Sequence, residues 1–128
     1  MSQAKSILLV EDNPIVQKYT RQCFERKGYQ VTVAGTKKSA IRFSQTTRFN
    51  LILMDIGLPD GSGWEVIEIT RNHEKSLNQT TPIVIISAHV NTEHEREKCQ
   101  YWQVNRIIEK PLKFEEIHII LSLITNTG

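Results

Sequence analysis

Five short apolar runs alternate along the chain with stretches whose apolar residues recur every three or four positions, and this alternation limits the fold more than any other feature. The runs are Ser6–Val10, Gln30–Ala34, Leu51–Met54, Ile83–Ser87 and Arg106–Glu109. Runs this short read as strands. Those that are apolar without a break read as strands covered on both faces. The stretches between them carry helix signals. Asn13 followed by Pro14 opens a helix, since proline is tolerated in the first turn. Val16, Tyr19, Thr20, Cys23 and Phe24 then recur at helical spacing until Gly28 ends it. Thr36 opens a second helix with Ala40, Ile41 and Phe43. Trp64, Val66, Ile67 and Ile69 begin a third, which fades into the polar stretch Asn72 to Thr81 before Pro82. Thr92 to Lys98 is a charged helix with little to bury beyond Cys99 and Trp102, and it is expected to be loosely held. Phe114 to Thr125 forms the last.

Strands that alternate with helices predict parallel pairing through right-handed crossovers. The expected architecture is α/β: a doubly wound five-stranded parallel sheet with five helices shared between its faces. At 128 residues the chain matches about one domain, read as residues 1–128. If the first and last helices share a face, Cys23 and Cys99 lie on opposite sides of the sheet, and a disulfide between them is excluded. Two cysteines so far apart also exclude a disulfide scaffold or a zinc site.

Four of the five strands end on a group able to do chemistry. Glu11 and Asp12 follow the first strand, Asp55 the third, Ser87 closes the fourth and Lys110 follows the fifth. In an open parallel sheet the carboxyl ends of the strands are where ligands bind, so all of these meet at one rim. Asp55 is separated from the next helix by the turn Gly57-Leu-Pro-Asp-Gly61, which argues against a capping role. Three carboxylates together repel one another unless a cation neutralises them. An all-oxygen site open to water suits magnesium. Metal, ammonium and hydroxyl around one carboxylate are the parts that stabilise a phosphoryl group in transfer, with Asp55 as nucleophile.

With Glu11-Asp12, Asp55, Ser87 and Lys110-Pro111 in this order, each in its strand context, the sequence resembles a response-regulator receiver domain over nearly its whole length. The resemblance implies the flavodoxin-like (βα)5 fold with strand order 2-1-3-4-5. It implies that Asp55 is the phosphoacceptor, that Asp12 and Asp55 bind magnesium directly, that Glu11 assists through water, and that the Gly57 backbone carbonyl completes the protein ligands. Ser87 and Lys110 then contact the phosphoryl group, and the bond before Pro111 is expected to be cis. The run Met-Asp-Ile-Gly-Leu-Pro-Asp-Gly-Ser-Gly, Met54 to Gly63, is further similar to receivers attached to hybrid histidine kinases.

The chain departs from that pattern near the fifth strand. Ile107 stands where receivers often carry Tyr or Phe, Tyr101-Trp102-Gln103-Val104 replaces a common Ala-Gly pair, and Ser87 to Lys110 is one residue longer than the common spacing. In the last helix Phe114, Ile117, Ile120, Leu121 and Ile124 make one apolar stripe, while Ile119 and Leu123 fall nearly opposite. One face is expected on the sheet. The other, with Ile107, is expected to form an apolar patch for a partner or for a homodimer through the last helix and fifth strand.

The implied function is a phosphoacceptor switch of a two-component phosphorelay. It takes its phosphoryl group from the phosphohistidine of a histidine kinase or histidine phosphotransfer protein and signals by protein contact, and as an enzyme it acts only on its own phosphorylation. Two other readings use the same residues. A receiver-like binding platform would work without phosphorylation. An aspartate-nucleophile phosphatase typically has a second acid two residues beyond the nucleophile, where this chain has Gly57. A flavodoxin-like cofactor binder is disfavoured because Glu11 and Asp12 would repel a phosphate. Residues 1–50 carry nine Lys/Arg against three Asp/Glu, and residues 51–128 seven against eleven. The basic charges lie scattered on helices without interleaved aromatics, so neither direct nucleic-acid nor direct membrane binding is expected. The start lacks a signal-peptide core and no apolar run approaches the roughly 20 residues of a membrane span, so a cytoplasmic location is expected. His73, His89, His94 and His118 lack metal-ligand spacing. His89 and Gly57, two residues beyond Ser87 and Asp55, are candidates for controlling water access to the phosphoryl group.

Overall fold

A computed structural model of the chain describes residues 5–88 and 93–125. The elements follow in the order β1 (Ser6–Val10), α1 (Pro14–Glu25), β2 (Gln30–Ala34), α2 (Lys37–Thr46), β3 (Leu51–Met54), β4 (Gly57–Leu58), β5 (Gly61–Ser62), α3 (Gly63–Asn72), β6 (Ile83–Ser87), α4 (Glu93–Tyr101), β7 (Arg106–Glu109) and α5 (Phe114–Thr125). Five strands form one parallel sheet in the order β2-β1-β3-β6-β7. Counted without the small ribbon, this is the expected 2-1-3-4-5. The ribbon, β4 against β5, pairs Gly57 with Ser62 and Leu58 with Gly61. The expected turn from Gly57 to Gly61 is thus closed by two short paired strands.

Period-two alternation of the strands divides the core. Ile7, Leu9, Leu51, Leu53, Val84, Ile86 and Ile108 point to the face covered by Phe24 of α1 and by Ile117, Ile120 and Ile124 of α5. Leu8, Val10, Ile52, Met54, Ile83 and Ile85 point to the face covered by Ala40 of α2 and by Val66 and Ile67 of α3. Cys23 packs on the first face and Cys99 on the second, and both are free thiols. The expected geometric bar to a disulfide holds.

The helix starts follow capping rules. The Asn13 side chain accepts from Ile15 N and Val16 N, with Pro14 in the first turn of α1. Thr36 with Ser39 and Ser62 with Glu65 form reciprocal capping boxes on α2 and α3. Gly28, with φ 92°, lies three residues past the last helical residue of α1.

The apolar stripes differ from expectation at three places. Tyr19 is half exposed and Phe114 is 64% exposed, so neither belongs to the core. Phe114 opens α5 at the edge of the fold, where the Lys27 ammonium stands 5.8 Å from its ring and the His118 ring packs edge-on. Leu123 packs partly against the α1–α5 side of the core, which leaves Ile119 as the exposed aliphatic of α5. Ile107 packs toward the opposite face, so it does not join Ile119 in one patch.

The polar stretch after α3 is a folded plug at the amino ends of β3 and β6. Asn78 is fully buried, and its amide donates to the carbonyls of Ser44 (2.9 Å) and Thr47 (2.8 Å). Its Oδ1 accepts from Phe49 N and Thr81 Oγ1, both at 2.8 Å. Arg71 donates from its guanidinium to the carbonyls of Trp102, Asn78, Gln79, Thr81 and Gln103. This joins the loop before β6 to the loop before β7. Among the described residues no helix is long and apolar enough to cross a membrane.

Candidate functional site

The opposite rim, at the carboxyl ends of the strands, is built by backbone bonds that continue the sheet. Glu11 N donates to Ala34 O (3.0 Å), Asp55 N to Val10 O (2.9 Å) and Lys110 N to Ser87 O (2.8 Å). Each functional side chain is therefore delivered by a rigid strand end. The Gln17 side chain adds a 2.6 Å bond to Glu11 O. Gly63 fixes the far side of the Asp55 loop. A Cβ there would collide with Asp55 O and lie 2.9 Å from Ile56 Cα, so no other residue fits without moving the acid. Asp60, in the turn of the small ribbon, accepts from Lys37 N (2.6 Å) and Lys38 N (3.1 Å), and so ties this loop to the start of α2.

Glu11, Asp12 and Asp55 present carboxylate oxygens that all lie within 4.8 Å of one another. Glu11 and Asp55 are buried and Asp12 is exposed. Lys110 Nζ lies 2.7 Å from Glu11 Oε1 and 3.1 Å from Asp55 Oδ2. Asp55 Oδ1 also accepts from Gly57 N at 3.3 Å. The bond from Lys110 to Pro111 is cis.

Burial pushes the Glu11 carboxyl above the usual glutamate range, more strongly than the Lys110 and Asn13 hydrogen bonds pull it down, and the charge on Asp55 adds to the rise. Burial alone would lower the Lys110 ammonium. Its hydrogen bonds to Glu11 and Asp55 outweigh that and hold it above the usual lysine range. Three acids and one ammonium leave the cluster with excess negative charge. Its hard oxygen donors, one of them open to water, suit a small divalent cation.

A cleft of about 560 Å³ opens beside Asp55, with Gly57, Ser87 and Lys110 in its walls. The structure thus places four of the six expected site residues, Asp55, Gly57, Ser87 and Lys110, in the cleft lining, and the other two, Glu11 and Asp12, in the acid cluster with Asp55, Asp12 at its exposed side. His89 lies outside the described residues. The sequence reading missed the outer wall, which Trp64 of α3 and His94, Glu95 and Lys98 of α4 supply. A signal was present: a helix that follows a strand ending in Ser87 must start above the same rim. A second depression, about 420 Å³ and mostly apolar, runs from Ile15, Val16 and Tyr19 of α1 to Lys110, Pro111 and Leu112.

Residues 7–122 match the family model described as the response regulator receiver domain. The chain belongs to the receiver family. Among curated proteins it is 30% identical over 116 residues to the sensor histidine kinase AruS of Pseudomonas aeruginosa, a match covering 89% of this chain and 11% of the kinase. It is 29% identical over 111 residues to the transcriptional regulatory protein CusR of Escherichia coli, covering 87% of this chain and 47% of that protein. This receiver thus spans about a tenth of the kinase and about half of the transcriptional regulator. Among solved structures it is similar to the receiver domain of sensor histidine kinase PA1611 from Pseudomonas aeruginosa, with TM-score 0.80, 30% identity, and coverage of 96% of this chain and 99% of that one. That structure holds a magnesium ion in its active-site cleft. A CheY-like receiver from Methanospirillum hungatei aligns with TM-score 0.83 and 25% identity, over 98% of this chain and all of the other. Proteins described as a hybrid histidine kinase and as transcriptional regulators are both among its relatives.

Proposed function

We propose that this chain, as one receiver unit over residues 1–128, accepts a phosphoryl group from phosphohistidine onto Asp55 and signals through changed protein contacts. The observation that carries the reading is the ammonium of Lys110 held 3.1 Å from a buried strand-end carboxylate inside an acid cluster. An oxygen of Asp55 attacks phosphorus, a new O–P bond forms, and the N–P bond to the donor imidazole breaks. The electron pair stays on that nitrogen, and the imidazole leaves neutral with the proton on its other nitrogen.

Asp12, Asp55 and the Gly57 carbonyl would hold magnesium, with Glu11 assisting through water, and the ion supplies positive charge to the phosphoryl oxygens. Lys110 already sits between Glu11 and Asp55, so a small rotation brings it onto a phosphoryl oxygen without a new desolvation cost. Ser87, in the same cleft, offers a hydroxyl to another. The apolar depression beside Lys110, with Ile15 80% exposed above it, is where the donor protein would rest while its histidine reaches Asp55. No substrate-enclosing cap stands over Asp55 among the described residues, which fits a switch acting on itself better than a phosphatase.

Intact mass after incubation with a small-molecule phosphodonor tests the proposal. A gain of one phosphoryl group that needs magnesium and is lost in Asp55→Asn supports it. A folded protein that binds magnesium and gains no mass overturns it in favour of the unphosphorylated binding platform.

A further inference from the structure

The cleft beside Asp55 has two walls of different stiffness. The inner wall, Asp55, Ser87 and Lys110, is fixed by the sheet. In the outer wall Lys98 makes no salt bridge among the described residues, and its Nζ stands 5.2 Å from the centre of the Trp64 ring. An ammonium over an indole face is held by the ring's quadrupole, a weaker hold than a fixed anion provides. The helix that carries it is equally lightly held at this end, because no residue of α4 is buried. Its carboxyl end is tied. Arg71 donates to the carbonyls of Trp102 (2.8 Å) and Gln103 (2.9 Å), and Val104 N donates to Cys99 O (2.8 Å).

A phosphoryl group on Asp55 adds roughly one further negative charge to the cleft at neutral pH. Lys110 is already divided between two carboxylates. The next cation in the lining is Lys98. Glu95, on the same wall, is repelled by the same charge, so the two forces turn α4 about its tethered end. We infer that Lys98 is a second phosphoryl-binding cation: on phosphorylation of Asp55 it leaves the Trp64 ring, pairs with a phosphoryl oxygen and draws α4 over the cleft. This rests on the reading of Asp55 as phosphoacceptor. It adds a positioning and binding role for a residue outside the strand-end set, and it makes the Trp64–Lys98 contact the latch released by phosphorylation.

The test uses the full chain in a Trp102→Phe background, whose folding is checked by circular dichroism, so that emission reports Trp64 alone. Three proteins, with Lys98 retained, Lys98→Met or Lys98→Arg, are treated with phosphodonor and magnesium. Extent of phosphorylation is followed by intact mass, and decay after removal of the donor gives the lifetime. Lys98→Met keeps the apolar stem and removes the charge. The expected result is a mass gain in all three proteins, with a lower plateau for Lys98→Met because its phosphoryl group is lost faster. Trp64 emission then changes on phosphorylation only where a cation is present at position 98. Because a cation and helix covering the phosphoryl group exclude water, the Lys98→Met lifetime is expected to be roughly threefold shorter, with Lys98→Arg restoring it. If Lys98→Met gains mass and keeps the parent's emission change and lifetime, the inference is overturned while the acceptor role of Asp55 stands. If no protein gains mass, the acceptor reading fails and the role of Lys98 falls with it.

Discussion

At the amino ends of the strands Asn78 is fully buried, and all four hydrogen-bonding positions of its side chain are filled. At the carboxyl ends of the same sheet Glu11, Asp12 and Asp55 crowd within 4.8 Å, with Lys110 bridging two of them. Both poles are polar, yet only the first centres on a side chain whose every position is matched. A buried amide that meets neutral donors and acceptors one for one rigidifies the loops around it. A cluster with surplus like charge is strained until a ligand arrives, and that deficit marks it as the working end. The lesson extends to the helices above each pole. Arg71 locks the loops at the satisfied end, whereas α4 reaches the unsatisfied end with no buried residue.

If this contrast is right, breaking the satisfied pole should cost stability and spare phosphoryl acceptance. Asn78→Ala leaves Phe49 N and the Thr47 carbonyl without partners, while Ser44 O keeps its bond from Leu77 N, and a loss of about 3 kcal/mol is expected from the urea midpoint. The folded fraction should still gain phosphoryl mass. Arg71→Met keeps the stem and deletes the bonds to five carbonyls, for a smaller expected loss of about 2 kcal/mol, since part of the guanidinium's surroundings can rehydrate. A Met variant as stable as the parent would remove the tether.

The other pole should behave in reverse. Magnesium at ten times its dissociation constant should stabilise the parent by about 1.4 kcal/mol, and Asp55→Asn, which removes one like charge, should lose most of that increment. Without magnesium the variant should be no less stable than the parent. Equal urea midpoints for the parent with and without the ion would end the reading of this pole as a cation site.

The smallest effect belongs to the link between the site loop and α2. Asp60 is held below the usual aspartate range by the Lys37 N–H and then by Lys38 N–H. A lowered folded pKa gives stabilisation that is full above the unfolded value and is lost as pH falls through the folded one. Asp60→Ala should therefore be slightly less stable than the parent near neutral pH and indistinguishable from it in acid, by parallel urea titrations.

Much of this was legible in the chain. Short apolar runs named the strands of the sheet, Asn13-Pro14 and Thr36 marked helix starts, and the acids that meet at the rim stand just after apolar runs. These signals are local, because strand periodicity and capping depend on neighbours a few residues away. What stayed hidden joins residues far apart in sequence. Asn72 to Thr81 looked like a featureless polar loop, and only the approach of Ser44, Thr47 and Phe49, about thirty residues earlier, turns Asn78 into a core residue. The meeting of Trp64 with Lys98 is of the same kind.

The sequence by itself determined the alternation of strand and helix and the placing of the acids at strand ends, because backbone periodicity dictates them. Only the tertiary structure decided which polar groups are satisfied and which are left in want of a partner. Hydrogen bonds and charge balance are closed between elements, across the sheet and its loops, and no single stretch of chain contains both halves of such a pair.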